Sequence, residues 1–233
     1  MSVPVPWRIN LNEGNTYDQM LKNATDKMRL TRRSKFFTVD SVNIFTDAGK
    51  SSDGTRLSTV ANCIANVTKE GVTARLSNVV YIEDVSTAIA ELSAIYYGLI
   101  TYNSEKIYAP VVRIFTDSTK AVSILRPLLL NINTLRKDPI LLREYLDSLN
   151  NDKNVQELIY MICEERALIN SIVNIYHIKS HTSDTMLIMT RFKQFNGIDI
   201  DVYDAIELST YHSFVDNKVN KSLRISKEMN DKK

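Results

Sequence analysis

One four-residue word occurs twice in this chain, and both times it ends on an acid. Ile44-Phe45-Thr46-Asp47 runs on into Ala48-Gly49-Lys50, and Ile114-Phe115-Thr116-Asp117 into Ser118-Thr119-Lys120. Short runs of Ile, Phe, Val and Thr suit a pleated, covered surface, so both words read as buried strands. Each strand then presents a carboxylate at its C-terminal end, where open α/β sheets carry their sites. A buried aspartate without a partner is costly. A divalent cation held between two of them would remove that cost. Each Asp also suits an ordinary turn or helix cap, and these two segments alone leave both readings open.

The pattern around the two words supplies the other elements. The first strand spans 42–47 and the second 57–68; Glu70-Gly71 marks a hairpin turn into a third over 72–81. Asp84 or Ser86 then caps a helix running to about residue 102, with Ala88, Leu92, Ile95 and Leu99 as its apolar stripe and Glu91 beside it. The fourth strand covers 111–117. A helix starts over 118–125, and Pro127 ends or bends it. Helices are expected at 135–149 and 155–170, a fifth strand at 172–178, and a polar loop holding His181. Beyond that loop the pattern predicts a helix over 186–195, a turn-like acidic stretch over 197–204 and a final helix over 211–227.

The opening 40 residues read as an extension outside the core. Pro4, Pro6 and Gly14 break its start, and 16–30 has a short helical spacing. Its 22–35 part is basic, with Lys22, Lys27, Arg29, Arg32, Arg33 and Lys35 against Asp26. Such a run either touches phosphates or is simply solvated.

Composition narrows the class. With 233 residues, 44% hydrophobic and 24% charged, the chain can bury a substantial core. No apolar run approaches the ~20 residues of a membrane span, and the N-terminus lacks a signal-peptide pattern. Cys63 and Cys163 stand in apolar surroundings, as free thiols of a reducing, intracellular compartment do. Whether that compartment is cytoplasm or nucleus is not legible. Two Cys and three His make no zinc pattern, and a net charge of +2 does not by itself announce nucleic acid.

The order of elements, with acids on strand one, the first helix, strand four and the last helix, resembles the ribonuclease H family. The matching words are Phe45-Thr46-Asp47-Ala48-Gly49, Ala90-Glu91-Leu92-Ser93-Ala94 and Phe115-Thr116-Asp117-Ser118, followed by His177-Ile178-Lys179-Ser180-His181 and His212-Ser213-Phe214-Val215-Asp216. Together they cover roughly residues 41–228. The resemblance implies an α/β fold: a mixed five-stranded sheet, three antiparallel strands and then parallel ones, with helices on both faces. The domain would span 41–233, with a helical insertion around 127–170 and a long insertion after the histidine loop around 182–210.

The resemblance also implies chemistry. Asp47, Glu91, Asp117 and Asp216 match the four metal-binding carboxylates, and His181 matches the loop histidine that helps product leave or moves protons. The expected cofactor is Mg2+, two ions, with Mn2+ as a substitute; the substrate is an RNA–DNA hybrid whose RNA strand is cut. Two such ions about 3.5–4 Å apart would hold both the attacking water and the leaving oxygen. Ala48, Gly49, Ser118, Lys179, Arg136 and Lys137 are the expected nucleic-acid contacts. The chain departs from the family pattern in the long span from His181 to Asp216, in the unmatched residues before the first strand, and in three local features. Few glycines follow the first acid, no Trp marks the basic helical region, and His212 stands where an Asn is common. The spacing looks more like that of a retroelement-type domain, and a place in a larger complex or polyprotein stays open. The alternatives are an inactive nucleic-acid-binding or scaffold domain of this fold and a same-fold nuclease acting on another duplex.

Overall fold

The computed structural model describes residues 35–51, 57–77, 79–83, 85–137, 139–148, 153–179, 181–182 and 184–230, without side-chain detail for 131–137, 139, 229 and 230. The expected 16–30 helix and most of the basic run lie outside these residues.

Strands β1 (Ser41–Lys50), β2 (Leu57–Thr68), β3 (Gly71–Leu76) and β4 (Val80–Glu83) come first. Helix α1 (Thr87–Ser104), strand β5 (Val111–Thr116), and helices α2 (Thr119–Lys137), α3 (Pro139–Ser148) and α4 (Lys153–Ala167) follow. Strand β6 (Ile172–His177) and helices α5 (Thr185–Asn196) and α6 (Val202–Asn230) close the chain. The sheet runs in the order β3-β2-β1-β5-β6, with β4 also paired to β2. β1–β2 and β2–β3 are antiparallel; β1–β5 and β5–β6 are parallel. This is the expected mixed α/β sheet, with one more strand than the sequence pattern predicts.

The extra strand has a local cause. Val80 stands opposite Val60 and Leu76 opposite Cys63, so three residues of the outer strand face two of β2. One surplus residue makes a bulge, which interrupts the ladder and splits the expected 72–81 strand. Asn62 and Ser77 tie the interruption together. The Asn62 N–H donates to Ser77 Oγ at 3.0 Å, and the Ser77 N–H to the Asn62 carbonyl at 2.8 Å.

Side chains alternate across the sheet and divide the core in two. Val42, Ile44, Val112 and Ile114 pack with residues of α1, α2 and α4. Phe45 and Phe115 face the other way, among Phe192 of α5 and Leu208, Tyr211 and Phe214 of α6. The Phe45 and Phe115 rings stack with centroids 4.9 Å apart. Two glycines let the helices come close. A Cβ at Gly98 of α1 would lie 2.9 Å from Ile44 Cγ2, and one at Gly49 would lie 2.5 Å from Val219 Cγ1 of α6. β1 is therefore clasped between α1 and α6.

Three sequence expectations change. Pro127 does not end α2, which continues to Lys137. Buried Leu125, Leu128 and Leu129 surround it, and their packing overrides the missing hydrogen bond. The last helix starts at Val202, nine positions earlier than the pattern placed it. Asp201 supplies the cap, its Oδ1 accepting the Asp204 N–H at 2.8 Å. Phe36 and Phe37 are not outside the core; they are 3% and 7% exposed and pack on Phe115 and Tyr211. Among the described residues no helix is long and apolar enough to cross a membrane.

Candidate metal centre

The repeated word is in register with itself. β1 and β5 are parallel neighbours with Ile44 opposite Ile114 and Phe45 opposite Phe115. Two residues beyond each Phe come Asp47, still on β1, and Asp117, just past the end of β5. The side that Phe45 and Phe115 face is the one α6 covers, and α6 brings His212 and Asp216, four residues apart and so on one helical face. A carboxylate oxygen of Asp47, one of Asp117 and a ring nitrogen of His212 all lie within 4.8 Å of one another. Glu91 enters from α1, whose N-cap is Ser86, its Oγ accepting the Ile89 N–H at 3.3 Å.

Burial and mutual repulsion dominate the electrostatics. Asp47 is 5% exposed, and its carboxyl is pushed up to about 8, chiefly by burial and then by Asp117 and Asp216; the Ala48 N–H opposes this. Glu91 is 8% exposed and pushed up to about 9 by burial, then by Asp117 and Asp47. Its Oε2 is buried with no hydrogen-bond partner among the described residues. No salt bridge among the described residues brings Lys or Arg onto these acids. Burial holds the His212 imidazole below its usual range, although Asp117 and Asp216 pull the other way.

His181 sits at the rim. It is exposed, has a positive φ of 55°, and its Nδ1 lies 3.8 Å from Asp216 Oδ1. The strand before it is pinned. The His177 N–H donates to Asn196 Oδ1 at 2.9 Å, and Asn196 Nδ2 returns a bond to the His177 carbonyl at 2.8 Å. His177 Nε2 lies 3.0 Å from the Asp117 carbonyl oxygen, which fixes the backbone just past β5.

The expected nucleic-acid contacts fall in different places. Ala48 and Ser118 are half-buried, each next to one of the strand-end acids. Ser118 caps α2, its Oγ accepting the Ala121 N–H at 3.2 Å. The absent Cβ of Gly49 is required by Val219 and Leu223, so the packing of α6 accounts for this glycine. Lys179 is exposed after β6. Arg136 and Lys137 end α2, and their side chains lie outside the described residues.

The donor set fits a divalent cation. Oxygen ligands suit hard ions, and a cation would offset both the burial and the repulsion that raise Asp47 and Glu91. His212 is the residue that sequence reasoning undervalued. It is buried, at 3% exposure, but its Nε2 has no partner among the described residues. The signal was its place one helical turn before Asp216.

No protein-family model matches this chain, and no curated protein matches it. Solved structures similar to it include ribonuclease H1 from Halobacterium salinarum, at 14% identity over 65% of this chain and 93% of that one, with a TM-score of 0.37. The foamy virus PFV ribonuclease H domain is 17% identical over 75% of this chain and 94% of that one, at 0.42. The foamy viral protease–reverse transcriptase in complex with RNA/DNA hybrid is 16% identical over 71% of this chain, at 0.41; there the match spans only 20% of the longer protein. In strand order, strand direction and sequence of elements, this chain has the ribonuclease H-like α/β fold.

Proposed function

We propose that this protein is a metal-dependent endonuclease that hydrolyses the RNA strand of RNA–DNA hybrids. Asp47, Glu91, Asp117 and Asp216 would hold two Mg2+, with Mn2+ able to replace them. The observation that carries this reading is the gathering of buried acids with no basic partner among the described residues. Asp47 and Glu91 are held near about 8 and 9, and Glu91 Oε2 has no partner among the described residues. A purely structural role would pair such groups, because leaving them bare costs stability. An inactive domain of the same fold would have no use for that cost.

Bound divalent cations would supply an activated water and stabilise the leaving oxygen. The chain's residues have distinct parts in this scheme. Asp47 and Asp117 are held by adjacent strands and form the fixed pair of ligands. Asp216 and Glu91 come from helices on opposite faces of the sheet. His181 Nδ1, beside Asp216, is placed at the rim to exchange protons with water or with departing product. Lys179 carries its ammonium on the same loop, where a phosphate of the hybrid would pass. Recognition of RNA would fall to contacts with 2′-hydroxyls near Ala48 and Ser118. Cleavage of an end-labelled hybrid, run beside RNA duplex, DNA duplex and single strands with and without Mg2+, tests the reading. Mg2+-dependent cutting confined to the RNA of the hybrid is expected. Preferential cutting of another duplex would reassign the substrate, and no cutting of any would leave a binding domain.

A further inference from the structure

His212 is used by nothing in that scheme, yet it occupies the middle of the site. It is one of three histidines in the chain. His177 has its Nε2 on the Asp117 carbonyl, and His181 stands exposed at the rim. His212 alone is buried against the acids, with a ring nitrogen within 4.8 Å of carboxylate oxygens of both Asp47 and Asp117. Its Nε2 is buried without a hydrogen-bond partner among the described residues. His177 Nδ1 is likewise buried without a partner among the described residues, so what sets His212 apart is that its unpartnered ring also stands among the carboxylates.

We propose that His212 is itself a metal ligand, joining Asp47 and Asp117 in a mixed nitrogen–oxygen set that favours Mn2+ over Mg2+. This rests on the reading that the strand-end acids bind a divalent cation. Mg2+ is small and hard, prefers oxygen donors and gives up its water reluctantly. Imidazole suits transition metals, and Mn2+ accepts carboxylate and imidazole together. Exchanging one oxygen for a nitrogen therefore costs Mg2+ more than Mn2+. The position four residues on, Asp216, keeps its carboxylate on the same helix face, so the nitrogen adds to the acids and replaces none of them.

The test is Mn2+ bound to the purified full chain and read by pulsed electron paramagnetic resonance, with Mg2+ competition measured alongside. Nitrogen hyperfine coupling on the bound Mn2+ is expected in the unaltered protein and in His181→Ala. In His212→Asn that coupling should vanish, and the preference for Mn2+ over Mg2+ should fall about tenfold or more. Thermal melting checks that this variant folds. If it does not, the His177→Gln, His181→Ala protein leaves His212 as the last imidazole, and its coupling decides the matter. Mn2+ that binds, is lost in Asp47→Asn and shows no nitrogen coupling would overturn the role of His212 while leaving the acidic site intact. Failure of Mn2+ to bind at all would overturn both.

Discussion

The two ends of strands β1 and β5 bury polar groups in opposite ways. At the N-terminal end, donors converge on one acceptor. Arg113 Nη1 and Asn43 Nδ2 both donate to the Phe36 carbonyl, at 2.7 and 2.9 Å, and the guanidinium lies 5.7 Å from the centre of the Phe36 ring. At the C-terminal end, acids gather and repel, and Glu91 Oε2 and His212 Nε2 have no partner among the described residues. The same two strands thus carry a cluster of donors sharing one acceptor, in which Asn43 Oδ1 alone lacks a partner among the described residues, and a cluster of acids that repel one another. The first behaves as structure. The second is the cluster proposed above to hold a cation.

The comparison breaks most visibly at Asp47. Asp47→Asn should bring hybrid cleavage down to background while raising the melting temperature in chelator at pH 8, because a destabilising charge is gone. Cleavage near the unaltered rate, or a lower melting temperature, would show that the C-terminal cluster is not under charge strain. At the other end, Phe36→Ala should lose ~3–5 kcal/mol of stability in denaturant titration. The folded fraction should keep its affinity for divalent ions. A loss of affinity there would mean that the two ends are not independent. His181→Ala should slow turnover by ~10²–10⁴-fold at most, in line with acid–base assistance. A single-turnover rate as low as that of Asp47→Asn would place His181 inside the metal centre instead of at its rim.

Acidity sharpens the contrast. Asp47 moves from 3.8 to about 8 on folding, and Glu91 from 4.5 to about 9. The folded state keeps protons that the unfolded chain releases, so between these values stability falls as pH rises. In chelator the melting temperature should therefore decline from pH 5 to pH 9, and saturating Mn2+ should flatten the decline. A rise over that range would contradict the direction of both shifts. The smallest expected effect belongs to Gly49→Ala. The added carbon would meet Val219 Cγ1 at 2.5 Å, costing ~1–3 kcal/mol through overpacking. It should also weaken cation binding, since α6 carries His212 and Asp216; calorimetric titration checks this.

The sheet and the strand-end acids were legible because two identical words marked them. Parallel neighbours in register turn a sequence repeat into a spatial pair. Glu91 was legible through its place beside the stripe of Ala88, Leu92, Ile95 and Leu99 on α1. Other features were hidden for physical reasons. The bulge opposite Ala61 and Asn62 is a matter of pairing between strands, which one strand's pattern does not display. The start of α6 was obscured by the acidic run before it, although Asp201 three residues ahead of Asp204 was a usable capping signal. Phe36 and Phe37 lay in a segment without periodicity, and only their aromatic character pointed to the core. The bare nitrogen of His212 depends on what α6 is packed against, which no local pattern contains.

The parallel pairing of β1 with β5 has one more consequence. Backbone hydrogen bonds hold neighbouring strands about 4.8 Å apart whatever the side chains do. Asp47 and Asp117 stand two positions past the last paired residues of that ladder, Phe45 and Phe115, so their approach is set beside it, with His177 bracing the Asp117 backbone. Glu91, His212 and Asp216 ride on helices, whose positions depend on side-chain packing against the sheet. The proposed centre accordingly has two halves, a gauge of two aspartates at the strand ends and a jaw of three helical residues. Substitutions that loosen the core should move the jaw and leave the gauge unchanged.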